Sequence, residues 1–147
     1  LRKGHPFIFG DGVWLGEGDI AFSVMPGQTL KYHMRWNFSE EGETMSSLQE
    51  IEIDGGAESV RNTIVFKKGN GDFTVSLENA ALGTISGAGV VDETSVAWEF
   101  RNDPSRVEGY EAYVLQGDGS YIMKAEYISP DKVSTTIKGK IWKKSEG

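Results

Sequence analysis

Over residues 30–39 the chain alternates without a break. Leu30, Tyr32, Met34, Trp36 and Phe38 fall on one face of an extended segment, and Lys31, His33, Arg35, Asn37 and Ser39 on the other. A period of two marks a half-buried strand, because successive side chains leave opposite faces of the pleat. The same alternation returns in Val60, Asn62, Ile64, Phe66, then Phe73, Val75, Leu77, then Val96, Trp98, Phe100, and last in Val133, Thr135, Ile137, Gly139, Ile141. The pattern is weakest around residues 47–50, and residues 80–90 are glycine-rich and ambiguous. So many one-sided strands must find a second apolar layer or close on themselves.

Turn signals separate these segments: Met25-Pro26-Gly27-Gln28, Glu41-Gly42, Asp54-Gly55-Gly56, Gly69-Asn70-Gly71-Asp72, Asn102-Asp103-Pro104, Gly117-Asp118-Gly119 and Ser129-Pro130-Asp131. Asn-Gly and Asp-Gly supply the positive φ of tight hairpins, and Pro-Gly suits a type II turn. The intervals leave little room for helices, so antiparallel hairpins follow one another in series. The expected fold is all-β, an antiparallel up-and-down β-barrel of about ten strands, since closure removes exposed edges. A two-sheet sandwich alternates in the same way and is the alternative. Residues 12–147 form this one domain, and residues 1–11 are a lead-in whose Phe7, Ile8 and Phe9 are placed to plug one end.

Composition narrows the function. A net charge of −7 argues against nucleic acid, whose binding rests on phosphate neutralisation. Lys138, Lys140, Lys143 and Lys144 make the one basic run, read as a solvated strand face. With no Cys there is no disulfide, thiolate metal site or Cys nucleophile. No apolar run approaches the roughly 20 residues of a membrane-spanning helix, and a soluble domain is expected. The lack of Cys fits the cytoplasm, with a periplasmic or secreted location as the alternative had a signal peptide been removed.

The first strand carries Gly12-Val13-Trp14-Leu15-Gly16-Glu17-Gly18. This resembles the G-x-W opening of calycin barrels (lipocalins, fatty-acid-binding proteins and relatives). The longer G-x-W-x-G-x-G form is most similar to nitrobindin-like, ten-stranded haem-binding barrels. The resemblance implies that Trp14 closes the barrel base against the last strand, here ending Ile141-Trp142-Lys143-Lys144. Nitrobindin-like barrels ligate haem through an inward His on that strand. The corresponding position lies near Ile137, and no His follows His33. No cofactor is expected, haem included. Fatty-acid carriers clasp a carboxylate with buried Arg, whereas Arg35, Arg61 and Arg101 take outer faces here.

Other chemistry finds little support. His33 sits among outward residues and His5 in the lead-in, so neither is expected to ligate a metal or act as a base. Gly16-Glu17-Gly18-Asp19-Ile20-Ala21 matches G-x-G-x-x-A by letter but lies within a strand, where a bend or close Trp packing explains the glycines better than a dinucleotide. Glu40, Glu41 and Glu43 cluster in a solvated turn, and no expected inner face holds two carboxylates. No G-x-S-x-G occurs. What remains is the inner face: Trp14, Gly16, Gly18, Ile20, Phe22 and Val24 on the first strand, then Tyr32, Met34, Trp36, Gln49, Asn62, Phe66, Phe73, Trp98, Tyr110 or Tyr113, Tyr121 and Met123.

This lining is aromatic and apolar with a few neutral polar groups, as in small-molecule pockets. The expected function is therefore a binding module for a small, apolar, uncharged ligand held by Tyr32, Met34, Trp36, Gln49, Asn62, Trp98 and Tyr121. Tyr32, Trp36, Trp98 and Tyr121 would stack on the ligand, and Gln49 and Asn62 would orient it. Two alternatives stand beside it. One is an isomerase, cyclase or lyase using Tyr acid–base chemistry, against which the lack of an inward carboxylate or His counts. The other is an interaction domain whose barrel is simply filled by its side chains.

Overall fold

The structure, a computed structural model, describes residues 5–56, 59–69, 72–101 and 104–145. Ten strands follow in order: β1 (Gly12–Phe22), β2 (Leu30–Glu41), β3 (Thr44–Ile53), β4 (Val60–Lys68), β5 (Asp72–Asn79), β6 (Gly83–Val91), β7 (Ser95–Phe100), β8 (Glu108–Leu115), β9 (Tyr121–Ile128) and β10 (Ser134–Lys143). Each pairs antiparallel with its neighbours in sequence, and β1 pairs with β10 from Trp14↔Lys143 to Phe22↔Thr135, so the sheet is a closed barrel. Closure gives every strand two hydrogen-bonded neighbours. The sandwich is thereby excluded.

Among the described residues, the turn signals lie in the connections between strands or at the strand ends beside them. Asn70, Gly71, Asn102 and Asp103 lie outside the described residues, as do residues 1–4 of the lead-in. Gly42, at φ 62°, supplies the left-handed residue of the tight β2–β3 hairpin. The weakly patterned residues 47–50 belong to β3, where Ser47 and Gln49 face inward and are buried. The glycine-rich residues divide between the β5–β6 turn and β6 itself. Val24 departs from the expected inner face: β1 ends at Phe22, the chain turns, and Val24 is 66% exposed.

The close approaches in the sheet explain the glycines that turns do not. At Gly16 a Cβ would meet Met34 Cε at 2.7 Å and Ile141 Cγ2 at 3.0 Å, so the expected Trp packing is replaced by packing against Met34 and Ile141. At Gly139 a Cβ would fall on Tyr32 Oη, at Gly109 on the Tyr127 ring, and at Gly89 on the Phe73 ring. Large side chains thus lie flat over glycines of the neighbouring or facing backbone.

One end of the barrel is stoppered from within. Phe7, Ile8 and Phe9 are all buried, which a strand's alternation would forbid for three consecutive residues. A turn over residues 7–9 with Ile8 at φ 59° makes it possible. That left-handed setting costs a β-branched residue about 1–3 kcal/mol, and the burial of all three side chains offsets it. The Phe7 ring lies 4.7 Å from Tyr113, 5.2 Å from Tyr121 and 5.4 Å from both Trp14 and Trp36, between centroids. Phe7→Ala should therefore destabilise the protein by about 3–5 kcal/mol, the usual cost of an emptied aromatic core site, in urea denaturation. A loss below 1 kcal/mol would show that the plug is not part of the cooperative core.

Candidate ligand-binding site

Because strands run alternately up and down, one end of the barrel gathers the starts of the odd-numbered strands and the plug. The other gathers the loops after β1, β3, β5, β7 and β9. The plugged half is solid. Trp36 Nε1 donates to Ser47 Oγ at 2.9 Å, and Ser47 donates in turn to the Ile64 carbonyl at 2.7 Å. The His5 ring lies 2.7 Å from the Asp92 carbonyl through Nε2 and 2.6 Å from Tyr121 Oη through Nδ1. A carbonyl only accepts, so Nε2 carries the proton and Tyr121 donates to Nδ1. Burial pushes the Tyr121 hydroxyl up to about 12, so it stays a donor.

The open half holds a cavity of about 380 Å³. Its walls are mainly aliphatic, with Ile20, Met34, Ile51, Leu77, Met123 and Ile137 among them. Three polar side chains run across the wall in a chain that ends on a methionine sulfur. Asn79 Nδ2 donates to Asn62 Oδ1 at 2.9 Å, Asn62 Nδ2 to Gln49 Oε1 at 2.8 Å, and Gln49 Nε2 to Met34 Sδ at 3.2 Å. Asn79 Oδ1 is fixed by the backbone N–H groups of Ala81 and Leu82. The sulfur is a weak acceptor, so Gln49 retains donor capacity towards the cavity.

Two further groups face this space. Tyr32, 3% exposed, lines the cavity, and its hydroxyl has no hydrogen-bond partner among the described residues. Burial, then the charge of Glu111, pushes it up to about 12, so it remains an O–H donor. An unmet buried hydroxyl costs about 1–3 kcal/mol unless the contents of the cavity satisfy it.

Glu111, 5% exposed, also lines the cavity. Tyr113 Oη donates to its Oε1 at 2.5 Å and Tyr127 Oη to its Oε2. The buried indole N–H of Trp98 forms no well-aligned hydrogen bond, yet lies close enough to favour the carboxylate. Burial outweighs these donors and raises the carboxyl above its ordinary value.

The expected site residues divide between the halves. Tyr32, Met34, Gln49 and Asn62 line the cavity. Trp36, Trp98 and Tyr121 pack in the solid part, with Trp36 and Trp98 centroids 6.3 Å apart and Tyr121 bonded to His5. Tyr113 is the inward member of its pair, and Tyr110 is exposed. Two expectations need correction. An inward carboxylate does exist in Glu111, and His5 is buried in a hydrogen-bonded position in the plug. Glu111 escaped notice because β8 carries Tyr110 and Val114 on its outer face, so hydrophobicity does not tell its two faces apart. Tyr127 follows Tyr121 and Met123 in the same parity on β9, and that signal was legible. Among the described residues, no group of three or more His, Asp or Glu side chains is arranged to hold a metal ion, and no helix is long and apolar enough to cross a membrane.

No family model and no curated protein matches the chain. Among solved structures, an S-type phycobiliprotein lyase from Guillardia theta matches with a TM-score of 0.68 at 9% sequence identity, over 99% of this chain and 91% of that one. The fold is a calycin-like barrel. At that identity the likeness concerns the backbone alone, and the contents of this barrel rest on its own side chains.

Since its carboxyl is raised in the folded state, Glu111 favours folding below the unfolded value, and that contribution is lost as pH rises through the folded one. Glu111→Gln removes the ionisation. Its melting temperature relative to the unsubstituted protein should therefore rise between pH 4 and pH 8 in paired thermal melts. A difference that falls over that range would contradict the assignment.

Proposed function

We propose that this protein is a binding module that holds a small, apolar, uncharged ligand in the open half of its barrel. The observation that carries the reading is the 380 Å³ cavity itself. It stands near the lower end of the roughly 300–1,000 Å³ range of small-molecule sites, so the occupant is compact. That volume also counts against a wholly filled interaction domain. The wall is mainly aliphatic, and among the described residues no Arg, Lys or His lines it. A free carboxylate ligand would enter without a counter-charge and beside Glu111, which supports a ligand with no negative charge.

The resemblance of Gly12-x-Trp14-x-Gly16-x-Gly18 to nitrobindin-like barrels extends, in this reading, to architecture. The position corresponding to those proteins' haem ligand lies near Ile137, which lines the cavity and offers iron no donor. Haem bound by that route is not part of the proposal. Tyr32, Met34, Gln49 and Asn62 contact the ligand, while Trp36, Trp98 and Tyr121 support the wall from beneath.

A second reading gains from one observation. Glu111, with Tyr113 and Tyr127 bonded to it, is the inward titratable group that an isomerase, cyclase or lyase would need. A buried carboxylate with bonded tyrosines serves binding equally well, and no metal-holding cluster accompanies it among the described residues. Binding is therefore the function advanced here.

Prodan, an uncharged naphthalene whose emission shifts to the blue in apolar surroundings, tests the proposal. The protein should bind it saturably with a blue shift. Leu77→Trp, which fills the cavity from β5, should weaken binding at least about tenfold while the barrel stays folded by circular dichroism. The anionic cis-parinaric acid should bind more weakly than prodan. No saturable shift, or equal binding by folded Leu77→Trp, would overturn the reading.

A further inference from the structure

The binding module proposed above leaves two polar groups of the cavity without a stated role, and they are complementary. Glu111 has two carboxylate oxygens with about four acceptor sites between them. Tyr113 and Tyr127 occupy one on each oxygen, and the Trp98 N–H adds at most a weak third contact. At least one acceptor direction remains in a side chain that lines the cavity. Tyr32 is the converse, a buried hydroxyl with a proton to donate and no acceptor among the described residues.

The two groups do not satisfy each other. They reach the cavity from β8 and β2, with β9, β10 and β1 between them around the ring. Tyr32, and Tyr127 as a partner of Glu111, pack closely over backbone. The Tyr127 ring lies over Gly109 and the Tyr32 hydroxyl over Gly139, where a Cβ would displace either one. The site is thus built, with its polar groups held before any ligand enters.

We infer that the cavity selects ligands bearing an O–H or N–H donor, which seats on a free acceptor site of Glu111 while Tyr32 donates to an acceptor elsewhere on the same molecule. This inference rests on the binding-module reading and refines its ligand from apolar to apolar with one donor. Water can occupy the acceptor site of Glu111 when no ligand is bound. A ligand lacking a donor displaces that water from Glu111 and replaces nothing, which penalises it. Tyr113 and Tyr127 act as positioning residues: they hold the carboxylate so that its remaining acceptor site points into the cavity.

The test compares 2-naphthol with 2-methoxynaphthalene by isothermal titration at neutral pH, where both are uncharged. They share one aromatic frame and one oxygen acceptor, and only naphthol has a donor. The unsubstituted protein should bind naphthol about tenfold more tightly, because methoxynaphthalene leaves a buried acceptor unmet. In Glu111→Leu that preference should vanish while methoxynaphthalene affinity is retained. In Tyr127→Phe, which removes one of the two hydroxyls that hold the carboxylate, the preference should narrow while methoxynaphthalene affinity is retained, an effect that a merely structural role for Glu111 would not produce. Should Glu111→Leu fail to fold, the unsubstituted protein and Tyr127→Phe still decide the matter.

Equal binding of the two compounds, or a naphthol preference that survives in Glu111→Leu, would overturn the inference and leave the binding module standing. If neither compound bound, and prodan did not bind, both readings would fall together.

Discussion

A closed ring of ten strands encloses more space than the side chains of its own strands fill, and everything distinctive in this barrel depends on how that space is divided. The division is made by Phe7. Its ring sits among Trp14, Trp36, Phe38, Tyr113 and Tyr121 and, with Ile8 and Phe9, turns one half of the interior into a close-packed aromatic core. Aromatic pairs at these separations add to the burial energy of each ring. With stability concentrated there, the other half is free to carry a cavity lined by smaller aliphatic groups and a few fixed polar ones. Packing and binding are thus separated along the barrel axis.

The polar groups in the open half are organised by the same economy. The amides of Asn79, Asn62 and Gln49 pass hydrogen bonds from strand to strand, and Glu111 receives two tyrosine hydroxyls. Buried polar groups are tolerable when bonded, and networks that are nearly complete set a definite geometry. The gaps in these networks are the Tyr32 hydroxyl and the remaining acceptor capacity of Glu111. Both belong to side chains that line the same cavity. Glycines make this arrangement possible, since Tyr32 and Tyr127 can lie where they do only because Gly139 and Gly109 carry no side chain.

Much of the fold was legible because alternation is a local property. The run from Leu30 to Phe38 could bury one face only as a strand, and tight turns allowed only antiparallel neighbours. The four residues Tyr32, Met34, Gln49 and Asn62 reach the cavity because their parity followed from such runs. Trp36 and Trp98 share that parity but stand deeper, and depth along a barrel is a tertiary quantity that alternation does not encode. Glu111 was hidden for a different reason. Its strand is apolar on both faces, through Tyr113 inside and Tyr110 and Val114 outside, so a charged residue between them looked outward. His5 was undervalued because its partners, Tyr121 and Asp92, are 116 and 87 residues away.

The central claim is that the barrel is solid at the plugged end and open to a small ligand at the other. Methionine methyl NMR tests it directly, because Met34 and Met123 line the cavity while Met45 is buried in the solid half. With ¹³C-methyl-labelled methionine and an uncharged naphthalene titrated in, the Met34 and Met123 resonances should shift along one saturable curve, and Met45 should stay in place. Shifts at Met45 alone, or equal shifts at all three, would contradict the account.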